Sequence, residues 1–151
     1  MVDLVAMGAP AWVRARRWTR ELPFAMASVR AARRALDADL AGAGVGPTAR
    51  ADARVVLSEL VANSVRHARP VGEGCLRVLW TVTGSHVGLA VGDAGAPTRP
   101  TPIKADGSAQ SGRGLAIIDA LAEDWGVEGA RTDDQVVWAV LGTGTLAARG
   151  C

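Results

Sequence analysis

The segment Val55-Val56-Leu57-Ser58-Glu59-Leu60-Val61-Ala62-Asn63-Ser64-Val65-Arg66-His67-Ala68 carries two patterns at once. Leu57, Leu60, Val61, Ser64 and Val65 recur at helical spacing and make one buried face. Glu59, Asn63 and His67 recur every four residues, and each such step drifts only about 40° around a helix axis. They therefore form a polar stripe beside the buried face. A carboxylate and an amide one turn apart can hold a hydrated magnesium ion and activate a nucleophile, the amide oxygen as a hard ligand and the carboxylate as a base. A solvated helix face has the same spacing, so the stripe by itself leaves both readings open.

Outward from this segment, the helix is expected over residues 48–68, with Thr48 as its N-cap and Asp52 in its first turns. Gly42, Gly44, Gly46 and Pro47 separate it from an earlier helix over 25–41, where Val29, Arg33, Leu36 and Leu40 stand at helical spacing. A short strand over 18–22, closed by Pro23, precedes that helix. Downstream, Pro70, Gly72 and Gly74 mark a turn, and strands over 75–83 and 86–92 are joined by Gly84-Ser85 as a hairpin. A long connection over 93–112 gathers Pro97, Pro100 and Pro102, and a loop of that length in a small domain is functional or disordered. A third helix over 114–123 and strands over 125–128 and 136–141 complete the order. A uniform strand–helix alternation does not fit. The order predicts an α+β fold: a two-layer sandwich with a mixed, mostly antiparallel sheet and helices on one face. Residues 1–15 are expected to be a flexible leader, 16–141 the folded domain and 142–151 a flexible tail.

A chain of 151 residues fits one domain, and 49% apolar with 21% charged residues is enough to bury a core. No apolar run approaches the ~20 residues that a membrane span needs. The net charge of +2 argues against direct nucleic acid binding; Arg14, Arg16, Arg17 and Arg20, with Arg30, Arg33 and Arg34, are expected to form solvated faces. Cys75 and Cys151 make neither a disulfide framework nor a zinc site. Arg14, Arg16 and Arg17 follow the mildly apolar residues 1–11 instead of preceding them, the reverse of a secretory signal, so a cytoplasmic location is expected.

Two further stretches hold candidate chemistry. Val91-Gly92-Asp93-Ala94-Gly95 ends a strand on an aspartate, which can accept a hydrogen bond from an exocyclic amine, and Gly95 lets a ligand approach the backbone. An ordinary Asp-x-Gly turn has the same residues. Ser111-Gly112-Arg113-Gly114-Leu115 opens a helix with two glycines, where backbone N–H groups and the helix dipole favour an anion such as phosphate. A flexible hinge accounts for it equally. It lacks the third glycine of the dinucleotide fingerprint, and the chain has no Gly-Lys-Ser/Thr phosphate loop.

Taken in order, Glu59-x-x-x-Asn63-x-x-x-His67-Ala68, Asp93-x-Gly95 and Gly112-x-Gly114-Leu115 resemble the motifs of the GHKL, or Bergerat-fold, ATPase superfamily. Within it, the chain is most similar to the small bacterial anti-sigma-factor serine kinases and the short actinobacterial ATP-binding regulators related to them. The resemblance covers about residues 16–141. It implies that Asn63 carries the magnesium bound to ATP and that Glu59 is the general base. It implies that Asp93 takes the adenine amine, with Gly95 letting the base approach. Gly112, Arg113, Gly114 and Leu115 would wrap the phosphates, Arg66 and His67 would lie near them, and residues 98–111 would be the ATP lid. The partners implied are an anti-anti-sigma protein of the STAS type, a sigma factor, or both, with homodimerisation near the first helix left open. Two departures stand out. Ala96-Pro97 follows the aspartate box where a second glycine is common, and Asp134-Gln135-Val136-Val137 offers no threonine before the last strand. ATP binding is therefore expected ahead of efficient turnover.

Overall fold

Alternation along the strands decides which side of the sheet is covered. Leu76, Val78, Trp80 and Val82 point one way from β2 (Cys75–Val82), as do Val87, Leu89 and Val91 from β3 (His86–Asp93) and Val137, Ala139 and Leu141 from β5 (Gln135–Gly142). All ten join one core with the helices. The computed structural model describes residues 16–68, 70, 72, 74–93, 110–129 and 135–143. With β1 (Arg16–Pro23) and β4 (Asp124–Gly129) the sheet has the order β1-β2-β3-β5-β4. The helices are α1 (Ala27–Gly42), α2 (Pro47–His67) and α3 (Gln110–Leu121). The α+β sandwich is as expected. In place of a mixed sheet, every strand pairing among the described residues is antiparallel. The leader, residues 98–109 of the expected 98–111 lid and the tail beyond Thr143 lie outside the described residues, while Gln110 and Ser111 open α3 and Gly142, expected to begin the tail, ends β5.

The helices differ from expectation at their ends, for local reasons. α1 buries Ser28, Ala32, Leu36 and Leu40, one residue in each turn, so the inward stripe begins at Ser28 and Ala32 while Arg33 is exposed. Two small residues let α1 start close to the strand end, where the Ser28 hydroxyl donates to the Pro23 carbonyl at 2.5 Å. Gly44, at φ 85°, closes α1: its N–H reaches the Ala41 carbonyl at 3.0 Å, and the Val45 N–H reaches that of Leu40 at 2.9 Å. This is a Schellman closure, and buried Val45 supplies its apolar contact. α2 then begins at Pro47 behind Gly46, so Thr48 is not its N-cap. Proline suits the first helical position because its missing N–H would have no intrahelical acceptor there.

α2 lies at the centre of the helix layer, packed against α1, α3, β3 and β5. The connectivity puts the polar ends of two strands beneath it. The chain leaves β3 at Asp93, crosses by α3 to the outer strand β4, and returns along β5, which inserts between β3 and β4. Asp93 and Gln135 thereby become cross-strand neighbours at the edge of the core. On the opposite sheet face, Leu79, Ala90 and Trp138 form a smaller apolar cluster. A cavity of about 810 Å3 lies on that side, lined by Thr19, Arg77, Leu79, Ala90 and Glu128 among others and reaching the strand ends at Asp93 and Gln135. Glu59, Asn63 and Ser64 do not line it. No helix among the described residues is long and apolar enough to cross a membrane.

Candidate functional site

Asp93 ends β3 on the helix-facing side, in line with Val87, Leu89 and Val91, and is 2% exposed. A carboxylate so deep needs hydrogen bonds to replace water. Ser64 of α2 supplies one: its hydroxyl donates to Asp93 Oδ2 at 2.8 Å. Ser64 therefore has a polar task within the buried face of α2. Periodicity placed it among the apolar residues and could not reveal the hydroxyl's partner, which lies on another element.

Glu59 and Asn63 are half-buried, one turn apart on α2, on the flank that meets α3. The contact with Glu59 is close: a Cβ on Gly114 would come within 2.6 Å of Glu59 Oε2. Gly114 thus makes room for the carboxylate, a packing reason for glycine that stands apart from any phosphate. α3 starts at Gln110, four residues before the expected start, so Gly112 and Arg113 belong to its first turn. First-turn N–H groups are those a helix leaves without an intrahelical acceptor, whereas Gly114 sits just past them. Glu59 of the stripe and Gly114 of the glycine pair, far apart in sequence, meet in the fold.

Leu115 has a packing task of its own. Its side chain is 4% exposed and packs in the main core with Ile118, so a ligand could meet it only through its backbone. Arg66 and His67 are exposed in the last turn of α2, where the helix dipole already favours cations. Gly95 and Ala96-Pro97 lie outside the described residues.

Gln135, named in the sequence only as part of a run that lacks a threonine and given no task there, opens β5 directly across from Asp93. It is 1% exposed, shares the helix-facing side with Val137 and Ala139, and its amide nitrogen has no hydrogen-bond partner among the described residues. Leaving a buried donor unpaired costs about 1–3 kcal/mol. The set suits magnesium–ATP. The Asp93 carboxylate and the Gln135 amide offer the acceptor and donor that an aminopurine edge needs. Asn63 offers the amide oxygen that magnesium can take together with phosphate oxygens and water. Among the described residues no group of three or more His, Cys, Asp or Glu side chains forms a metal cage.

The family model for the histidine kinase-like ATPase domain matches residues 22–140. No curated protein matches the chain.

Proposed function

The chain belongs to the histidine kinase-like ATPase domain family, matched over most of its length, and from that premise we propose that it is a regulatory ATP-dependent serine/threonine kinase of the anti-sigma-factor type. ATP binding comes with the family; the protein substrate, an anti-anti-sigma partner of the STAS type, is the finer part of the reading. The observation that carries it is the buried hydrogen bond from Ser64, on the helix that bears Glu59 and Asn63, to Asp93.

Each residue has a task in this reading. Asp93, held by Ser64, accepts a hydrogen bond from the exocyclic amine of adenine, and Gly95 leaves space for the base. Asn63 holds the magnesium ion through its amide oxygen. When bound there, the ion would supply positive charge against the phosphates. The first turn of α3, with Gly112 and Arg113, presents backbone donors to the phosphates. Arg66 and His67 stand at the end of α2 as nearby cationic or hydrogen-bonding groups. Glu59 takes the proton from the partner's serine hydroxyl as that oxygen bonds to the γ-phosphorus, and the bond to the β–γ bridging oxygen breaks to release ADP. A cytoplasmic protein exchanging between an anti-anti-sigma protein and a sigma factor, without touching nucleic acid or a membrane, is the setting this chemistry serves.

The test is calorimetric binding of ATP with and without magnesium, followed by phosphoryl transfer to a STAS-type protein. Asn63→Ala is expected to abolish magnesium-dependent ATP binding while the circular dichroism spectrum is unchanged. Undiminished affinity in that variant would sink the site. ATP binding without phosphoryl transfer would identify a non-catalytic nucleotide-gated module instead.

A further inference from the structure

We propose that Gln135 is a second base-reading residue, whose amide nitrogen donates to N1 of adenine while Asp93 accepts from the neighbouring exocyclic amine. The inference rests on the nucleotide site proposed above and adds what selects its base. Three observations carry it. Gln135 and Asp93 are register partners across the central β3–β5 pair. Both side chains are on the helix-facing side and almost wholly buried. Among the described residues the amide nitrogen of Gln135 has no hydrogen-bond partner, although the surrounding core offers every reason to place an apolar residue there.

The chemistry of the two groups matches one base edge. Adenine presents, side by side, an amine that donates and a ring nitrogen, N1, that accepts. A carboxylate beside an amide N–H is complementary to both. Guanine presents a carbonyl oxygen and a protonated N1 at the same places, setting acceptor against acceptor and donor against donor. Such mismatches leave buried groups unpaired, the strongest source of discrimination between similar ligands. The Asp93–Gln135 pair thus selects adenine over guanine with two side chains from adjacent strands.

The experiment compares magnesium complexes of ATP, 1-deaza-ATP (carbon in place of N1) and GTP on the full chain, wild type and Gln135→Leu. Wild type is expected to bind ATP ~10-fold more tightly than 1-deaza-ATP, the effect of one buried hydrogen bond. In Gln135→Leu the two should bind alike, at the affinity of wild type for 1-deaza-ATP, and the preference for ATP over GTP should narrow. Gln135→Leu should also melt above wild type without nucleotide, since it removes an unpaired buried donor. Equal wild-type affinities for ATP and 1-deaza-ATP would overturn the role of Gln135 while leaving the nucleotide site intact, and that comparison needs no variant. An N1 effect undiminished in Gln135→Leu would overturn it as well. Failure of wild type to bind any of the three would remove the nucleotide site itself, and this inference with it.

Discussion

Ser64 and Glu59 stand on the same helix and are tested by opposite signatures. Removing the Ser64 hydroxyl leaves the buried Asp93 carboxylate short of one donor, and hydrogen bonds to charged groups contribute about 1.5–3 kcal/mol. Ser64→Ala is therefore expected to lower the unfolding free energy by about that amount in urea titration, and to weaken ATP binding because Asp93 is no longer held. Glu59→Gln keeps the shape of a half-buried side chain and removes only its ability to take a proton. Its stability and ATP affinity should match wild type, while phosphoryl transfer to the partner falls ~100-fold or more. Transfer at the wild-type rate would take the base role from Glu59. Both residues are in the quoted helix, yet only Glu59 was legible as functional. The Ser64 hydroxyl acquires its meaning from Asp93, 29 residues away on β3.

Among the elements, two glycines with equally tight surroundings are expected to respond differently. A Cβ on Gly114 of α3 meets the carboxylate end of Glu59, which can swing aside. A Cβ on Gly126 of β4 would lie 2.7 Å from Trp138 Cζ2, part of a buried ring. Gly114→Ala should leave the melting temperature unchanged or higher, since alanine favours the helix by about 1 kcal/mol. It should nonetheless depress phosphoryl transfer, because Glu59 is displaced. Gly126→Ala should instead destabilise by about 1–3 kcal/mol, the usual cost of overpacking, with ATP affinity little changed in the folded fraction. Element identities were legible from period and punctuation, whereas their ends and neighbours were not. Pro47 is the stronger start signal for α2 than Thr48, and the inward face of α1 follows small residues that a search for large apolar ones overlooks. The placement of β5 between β3 and β4 has no local signal at all. It is what sets Gln135 beside Asp93, and so the amide could not be read from the run Asp134-Gln135-Val136 alone.

For the whole molecule, fold and site share α2, which raises the question of whether one can be perturbed without the other. The sandwich is held together away from the site as well. Asp39 of α1 accepts the Trp80 indole N–H at 3.1 Å and pairs with Arg20 of β1 at 3.2 Å, while the Arg20 guanidinium lies 5.8 Å from the Trp80 ring centroid. At the far end His86 and Glu123 pair at 2.9 Å, joining the β2–β3 hairpin to the turn between α3 and β4. Leu57 is fully buried in α2, and Leu57→Ala is expected to cost about 2–5 kcal/mol. Asn63 is only half-buried, and its truncation should cost the fold little. A ligand that binds the native state alone adds about 2.7 kcal/mol at a hundredfold excess over its dissociation constant. For a domain of this size that corresponds to a rise of roughly 10 °C in melting temperature. Leu57→Ala should therefore melt well below wild type yet keep the rise on adding magnesium–ATP, whereas Asn63→Ala should melt near wild type and lose it. Scanning calorimetry of the three proteins with and without the nucleotide reads both effects at once. If the rise survives in Asn63→Ala, ATP is held elsewhere on the molecule; if it vanishes only there, α2 carries the core on one face and the nucleotide on the next.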